Sequence, residues 1–275
     1  MNLGVEGIML MGAVSGYMAA VNTQNLALSF LVVLLVGAVF GLAFAFLTVT
    51  LQADQTVCGM AMLTFGTGLS GFLGKDVAGV AANLRFEDLP IPGLSRIPFI
   101  GPVFFSQNLL VYAMYIIVPL SLFYIYRTRQ GLYLRALGEN PAALDSAGMN
   151  VFAMRYAYVI FGCMMISISG ACVSLANTNF WSSGMTAGKG WIAFALVAFS
   201  SWNPWKLTLG ALLFGFISCL GSNLQIYLPG IPTEIFSALP YIATIVAFIL
   251  ATGNFRKVHT VQPAALGKPY DREAR

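Results

Sequence analysis

The chain has 275 residues, 58% hydrophobic and 9% charged, with a formal net charge of +4. Ordinary soluble domains carry about 25% charged residues. Here no charge occurs in 7–53, 55–74, 97–126, 156–188, 207–233 or 235–255. These runs match or exceed the roughly 20 apolar residues that a helix needs to cross a bilayer, which excludes a soluble globular domain and makes this a polytopic membrane protein. The small positive excess sits in loops and the tail and lacks the clustered basic face of a nucleic-acid binder.

The elements follow in order. The opening MNLGVEG leads into a short apolar segment near 8–21, and the polar Asn22–Asn25 makes a turn. A second span covers 28–47, with Gly37 and Gly41 at the small-xxx-small spacing that favours close packing in lipid. Gln52–Gln55 turns the chain into a third span, 56–73. The stretch 75–106 holds Pro90, Pro92, Pro98 and Pro102, so no continuous helix is expected there. A fourth span covers 108–126.

The central stretch 127–155 is the only long polar interruption that a simple turn does not explain. Asn140 is suited to an N-cap, Pro141 to the first helical position, and Gly148 to a left-handed stop. A helix of about two turns results, too short to be stable alone and so docked against something. Ala142, Ala143 and Ala147 give it a small-residue face. Arg127, Arg129, Arg135 and Arg155 flank it and place it on the cytoplasmic side.

Beyond it come a fifth span, 156–176, a polar 177–189, and an apolar 190–201 that is either a broken or re-entrant helix or a full span. The last two spans are 207–223 and 237–252. The expected fold is therefore all-α, a transmembrane bundle of about eight segments over residues 1–253, with a polar cytoplasmic tail, 254–275. If each segment crosses once, ten basic residues collect inside and four (Lys75, Arg85, Arg96, Lys189) outside, with both termini cytoplasmic. The halves echo faintly: GVEG at 4–7 and GKG at 188–190 each precede a short apolar segment, a pattern that marks binding sites in repeat-built transporters.

Cys58, Cys163, Cys172 and Cys219 lie in apolar runs at wide spacing and read as small hydrophobes rather than a disulfide frame or metal site. There is no Lys-Ser/Thr phosphate loop, no converging carboxylate pair and no metal cluster in the sequence pattern. No catalytic residue is expected, and no cofactor is expected on this chain.

Several motifs together resemble the integral-membrane permease family of bacterial ABC importers for branched-chain amino acids, simple sugars and nucleosides. They are NLGVEGIM at 2–9, ADQ at 53–55, GENPAA at 138–143 with Ala147-Gly148, GKGWIA at 188–193 and WNP at 202–204. The NLGVEG, ADQ and GKGWIA forms are most similar to the nucleoside branch. The resemblance implies that Gly138, Glu139, Asn140, Pro141, Ala142, Ala143, Ala147 and Gly148 belong to a coupling helix seated in a cytoplasmic ATPase, which would consume ATP and Mg. It also implies a second permease subunit, an extracytoplasmic solute-binding lipoprotein and a bacterial inner-membrane location. In such permeases the NLGVEG-like motif follows a further transmembrane helix, whereas here it begins at Met1. The resemblance thus implies an upstream start or a natural truncation.

Polar groups in or beside spans are costly in lipid and tend to face a cavity. Glu6, Asn22, Gln55, Asn177, Asn179 and Asn223 qualify as solute-path candidates, with Phe180, Trp181 and Trp191 as stacking surfaces for a flat base. Against each stands the plainer role of interface anchor, cap or turn, and Glu6 between glycines suits a structural turn. The expected function is a permease subunit importing a nucleoside-like solute, with a simple sugar or branched-chain amino acid as alternatives. An ion-coupled carrier is the competing class, and its usual ionisable residues within spans are missing.

Overall fold

The computed structural model describes residues 1–80, 84, 86–93, 95, 97–98, 100–228, 230, 232–252 and 262–272. It contains α1 (Val5–Thr23), α2 (Leu26–Ala45), α3 (Gln55–Leu73), α4 (Ile100–Phe104), α5 (Leu109–Arg127), α6 (Arg129–Glu139), α7 (Pro141–Ser146), α8 (Val151–Cys172), α9 (Lys189–Phe199), α10 (Pro204–Tyr227) and α11 (Thr233–Thr252). α2 and α8 each continue into a wider π turn, Phe46–Thr50 and Val173–Thr178, and α3 into a tight turn, Gly74–Val77. Among the described residues six helices are long and apolar enough to cross a membrane: α1, α2, α3, α5, α8 and α10 with their extensions. α9 is shorter than a crossing requires. The proline-rich stretch holds the single-turn α4 and a two-stranded antiparallel ladder, Asp88–Pro90 (β1) with Ser106–Asn108 (β2).

Local chemistry explains the helix starts. Asn25, Asp54, Asn108, Asn140, Asn150 and Asn203 each accept backbone N–H groups of the turn that follows. At Asp54 the bonds from Val57 and Thr56 also hold the carboxyl below its usual range.

The chain forms two compact units, 1–191 with 264–275, and 192–263. In the second, α10 packs along α11; Phe214 meets Tyr241 edge-on at 6.1 Å, and Gly221 lets the Phe236 carbonyl approach.

In the first unit α1 is the hub, buried on most of its surface and packed against α2, α3 and α8. Its neighbours approach so closely that side chains have no room. A Cβ at Gly12 would overlap the Ser167 backbone, one at Gly170 the Met9 carbonyl, and one at Gly7 the backbone of Met62 and Leu63. Gly37 and Gly41 serve α2 against α8 in the same way, at Met164 and Ile160. Lipid offers helices no hydrophobic reason to associate, so backbone proximity and polar bonds do the work. Ser167 donates to the Val33 carbonyl and Ser174 to the Ala13 carbonyl, both at 2.9 Å and both buried.

The contact order gives direction. Gly4 meets Gly59 and Met62, Gly7 meets Leu63, and Tyr17 donates to the Val80 carbonyl, so α1 and α3 run parallel. Val33, Gly37 and Gly41 meet Ser167, Met164 and Ile160 in turn, so α2 runs antiparallel to α8.

Gly170→Ala should separate α1 from α8 and lower stability by about 1–3 kcal/mol, the cost of overpacking. Gly162, on the same helix with open space around it, provides the control. Thermal melts of the detergent-solubilised protein should show a lower midpoint for Gly170→Ala only.

Candidate functional site

The two echoing motifs meet. The Glu6 carboxylate, in a residue 8% exposed, accepts hydrogen bonds from the Thr186 hydroxyl, the Gly188 N–H at 2.9 Å and the Gly190 N–H at 2.6 Å. Glu6 stands in the first turn of α1 and reaches the first turn of α9. Free N–H groups and the positive end of the dipole at both helix starts favour an anion there. Gly190 must be glycine because a Cβ would run into Glu6 itself, 2.8 Å from its backbone nitrogen. Ala187 and Gly188 adopt φ of 47° and 81°, a left-handed pair that lets the Gly188 amide reach the carboxylate.

The segment 179–190 descends into the bundle. Trp181 lies against Gly74 and Ser183 beside Gly71, both near the end of α3. Thr186 and Gly190 lie at Glu6, next to Gly7 and Gly66, which touch each other. From Gly74 back to Gly66 along α3 is about 12 Å at 1.5 Å per residue. Irregular backbone at such depth is tolerated only where protein or a wet cavity satisfies it. Glu6 satisfies it here.

The other path candidates scatter. Trp181 is 2% exposed, its ring filling the gap that Gly74 leaves, and its indole N–H has no hydrogen-bond partner among the described residues. Phe180 and Trp191 are exposed, at 45% and 39%. Asn177 is exposed on the π turn after α8, and Asn179 is half-buried in a left-handed conformation. Asn22 is exposed at the end of α1; half-buried Gln55 accepts from the Met1 amino group. Asn223 binds its own helix, at the Cys219 carbonyl, 2.8 Å away. The structure joins Glu6 to the 186–190 loop but does not gather these residues into one pocket. Thr186, fully buried on Glu6, is the residue that sequence reading missed; nothing but its position two residues before GKG could have singled it out.

The second site is the α6–α7–α8 corner. Asn140 caps α7 through the Ala143 N–H at 3.0 Å, and Pro141 takes the first position. At its end the Met149 N–H reaches the Leu144 carbonyl at 3.3 Å and the Gly148 N–H the Asp145 carbonyl at 2.9 Å. This is a paired 6→1 and 5→2 termination with Gly148 at φ 83°. Leu144 is buried with Leu137, Val151 and Tyr270; Ala142 and Met149 pack at its edge. Asn140, Ala143, Ser146 and Ala147 remain exposed. Gly138 is half-buried at the joint, and Glu139 is exposed. Among the described residues no His, Cys, Asp and Glu cluster could hold a metal ion.

Glu6→Ala leaves three donors without their acceptor, and a loss on the order of 3 kcal/mol is expected from buried unsatisfied groups. Glu6→Gln keeps the shape and one acceptor oxygen and should lose less. Melting midpoints of the three proteins in detergent should rank wild type, Gln, Ala.

The comparisons with known proteins agree with this architecture. The family model for the branched-chain amino acid transport system permease component matches residues 1–248. A putative glucose ABC transporter permease of Haloferax volcanii is 35% identical over 99% of this chain and 89% of its own length. A nucleoside ABC transporter permease of Lactococcus lactis is 34% identical over 98% of this chain and 87% of its own, and a guanosine ABC transporter permease of Bacillus subtilis 33% over the same shares. No solved structure matches the chain significantly. A multi-pass helical bundle with a capped helix between its fourth and fifth apolar helices, matched almost end to end, belongs to the branched-chain amino acid transport system permease family of ABC transporters.

Proposed function

We propose that this ABC permease imports a nucleoside, delivered by an extracytoplasmic binding protein and driven by a separate cytoplasmic ATPase that docks on α7. The pore would be shared with a second permease subunit in a bacterial inner membrane. The observation that carries the coupling role is the geometry of α7: a helix capped at both ends, anchored by Leu144, with Asn140, Ala143, Ser146 and Ala147 outward. Small outward residues allow a partner's backbone to come close, and two caps let so short a helix act as a rigid lever. The solute class draws support from the nucleoside and guanosine relatives. The glucose permease relative favours a second reading, a simple sugar.

Eight membrane segments with both termini cytoplasmic remain the preferred topology: α11 adds to the six long helices, and the inward-turning 179–190 segment with α9 makes up the crossing that α9 is too short to make alone. The parallel run of α1 and α3, and the antiparallel run of α2 and α8, support alternating crossings. With the central basic residues inside, α7 faces the cytoplasm. A single cysteine at Ser146, in a chain stripped of native cysteines, should resist an impermeant thiol reagent applied from outside and react in inverted vesicles. Labelling from outside would reverse the orientation.

The functional test is uptake in proteoliposomes holding the complete complex. Labelled guanosine should enter with ATP and be displaced by unlabelled nucleosides but not by glucose; the opposite competition would select the sugar reading. Gly148→Val and Ala143→Glu should insert normally yet lose uptake and binding-protein-stimulated hydrolysis together. The first acts by strain alone, since a Cβ at Gly148 meets nothing within 4 Å but φ 83° is unfavourable for valine. The second sets a charge where docking would desolvate it. Normal transport by both would leave α7 as a connecting loop.

A further inference from the structure

The described part of the polar tail, 262–272, runs across the α6–α7–α8 corner. The Ala265 N–H donates to the Gly138 carbonyl at 2.9 Å, at the joint between α6 and α7. Arg155 donates to the Lys268 carbonyl at 3.3 Å, and Gln52, between α2 and α3, donates to the Tyr270 carbonyl at 3.2 Å. Tyr270 itself is 9% exposed, inserted with Leu137, Leu144 and Val151. Phe152 packs at 5.8 Å from its ring and the Arg155 guanidinium lies 5.8 Å from the ring centre. Its hydroxyl donates to Asp145 at 3.1 Å, and Arg272 grips the same carboxylate with two bonds, at 2.9 and 2.7 Å. Bidentate guanidinium–carboxylate pairs are among the strong, directional hydrogen bonds, and Asp145 raises the Arg272 guanidinium further above its usual range.

On α7 itself the tail meets Leu144, through Tyr270, and Asp145, through Tyr270 and Arg272. A six-residue helix buries only Leu144 on its own account and lacks the length to hold itself. Tyr270 fills the space beneath it and Arg272 fixes its polar flank. Asn140, Ala143 and Ala147 are exposed, so the described part of the tail, 262–272, supports the helix from behind. We propose that segment 264–272 is a brace that holds α7 in its docking posture, with Tyr270 and Arg272 as positioning residues for coupling to the ATPase. The inference rests on reading α7 as the coupling helix. A released brace leaves the ATPase able to hydrolyse but α7 free to yield under its stroke.

The experiment measures solute moved per ATP hydrolysed in the reconstituted complex. Three chains are compared with wild type: one ending at residue 262, Tyr270→Ala, and Arg272→Glu. Each should show a several-fold lower ratio at normal membrane levels. The exchanged pair Asp145→Arg with Arg272→Asp should recover much of the loss, which a general folding defect would not permit. Tyr270→Phe, keeping the ring, should stay near wild type. If the shortened chain fails to insert, Arg272→Glu and the exchanged pair decide: a wild-type ratio in the first, or no recovery in the second, overturns the brace. Ala143→Glu is run alongside. Lost coupling there with normal tail variants would refute the brace and keep α7 as the coupling helix; normal coupling in all would remove both.

Discussion

The carboxylate of Glu6, accepting from Thr186, Gly188 and Gly190, is the constraint on which the rest of the bundle depends. A buried anion in a membrane protein is costly unless donors surround it, and here the donors belong to a segment far along the chain. The bond network therefore fixes two things at once. It holds the start of α1 in place and pulls the 179–190 loop inward, so that α9 begins inside the bundle. Neither would be stable without the other: the loop carries backbone groups that lipid cannot satisfy, and Glu6 carries a charge that lipid cannot hold.

The glycines make that arrangement reachable. Gly12 and Gly170 let α1 and α8 touch backbone to backbone, while Gly7 and Gly66 do the same for α1 and α3. Only because the helices lie so close can Glu6 reach across to α9. Gly74 plays a related part, opening a slot for the Trp181 ring at the point where the loop turns in. The polar motifs and the small-residue positions are thus one device, dividing between them the close approach and the charge that it protects.

At the cytoplasmic corner the logic is local. The caps of α7 are short-range chemistry, Asn140 and Pro141 at one end and Gly148 at the other, and they were readable from the residues alone. Its outward face was only partly so, because Ala142 turns to the core while Ser146 joins Ala143 and Ala147 outside. No periodicity announces that Asp145 binds a residue far along the chain, or that Tyr270 would be buried in a tail of low hydrophobicity.

What the sequence by itself determined was the class of molecule, its long apolar helices, and the two ends of α7, the cap at Asn140 and the left-handed stop at Gly148. These depend on composition, run length and contacts within a few residues. The partnership of Glu6 with Thr186, the burial of Trp181 and the docking of the tail were decided by the tertiary structure alone. Each joins groups more than a hundred residues apart, and a buried tryptophan and an interfacial one look alike in a single chain. A polar loop, likewise, reads as exposed until a carboxylate is found to receive it, since satisfaction of a hydrogen bond is a property of the pair and not of either residue.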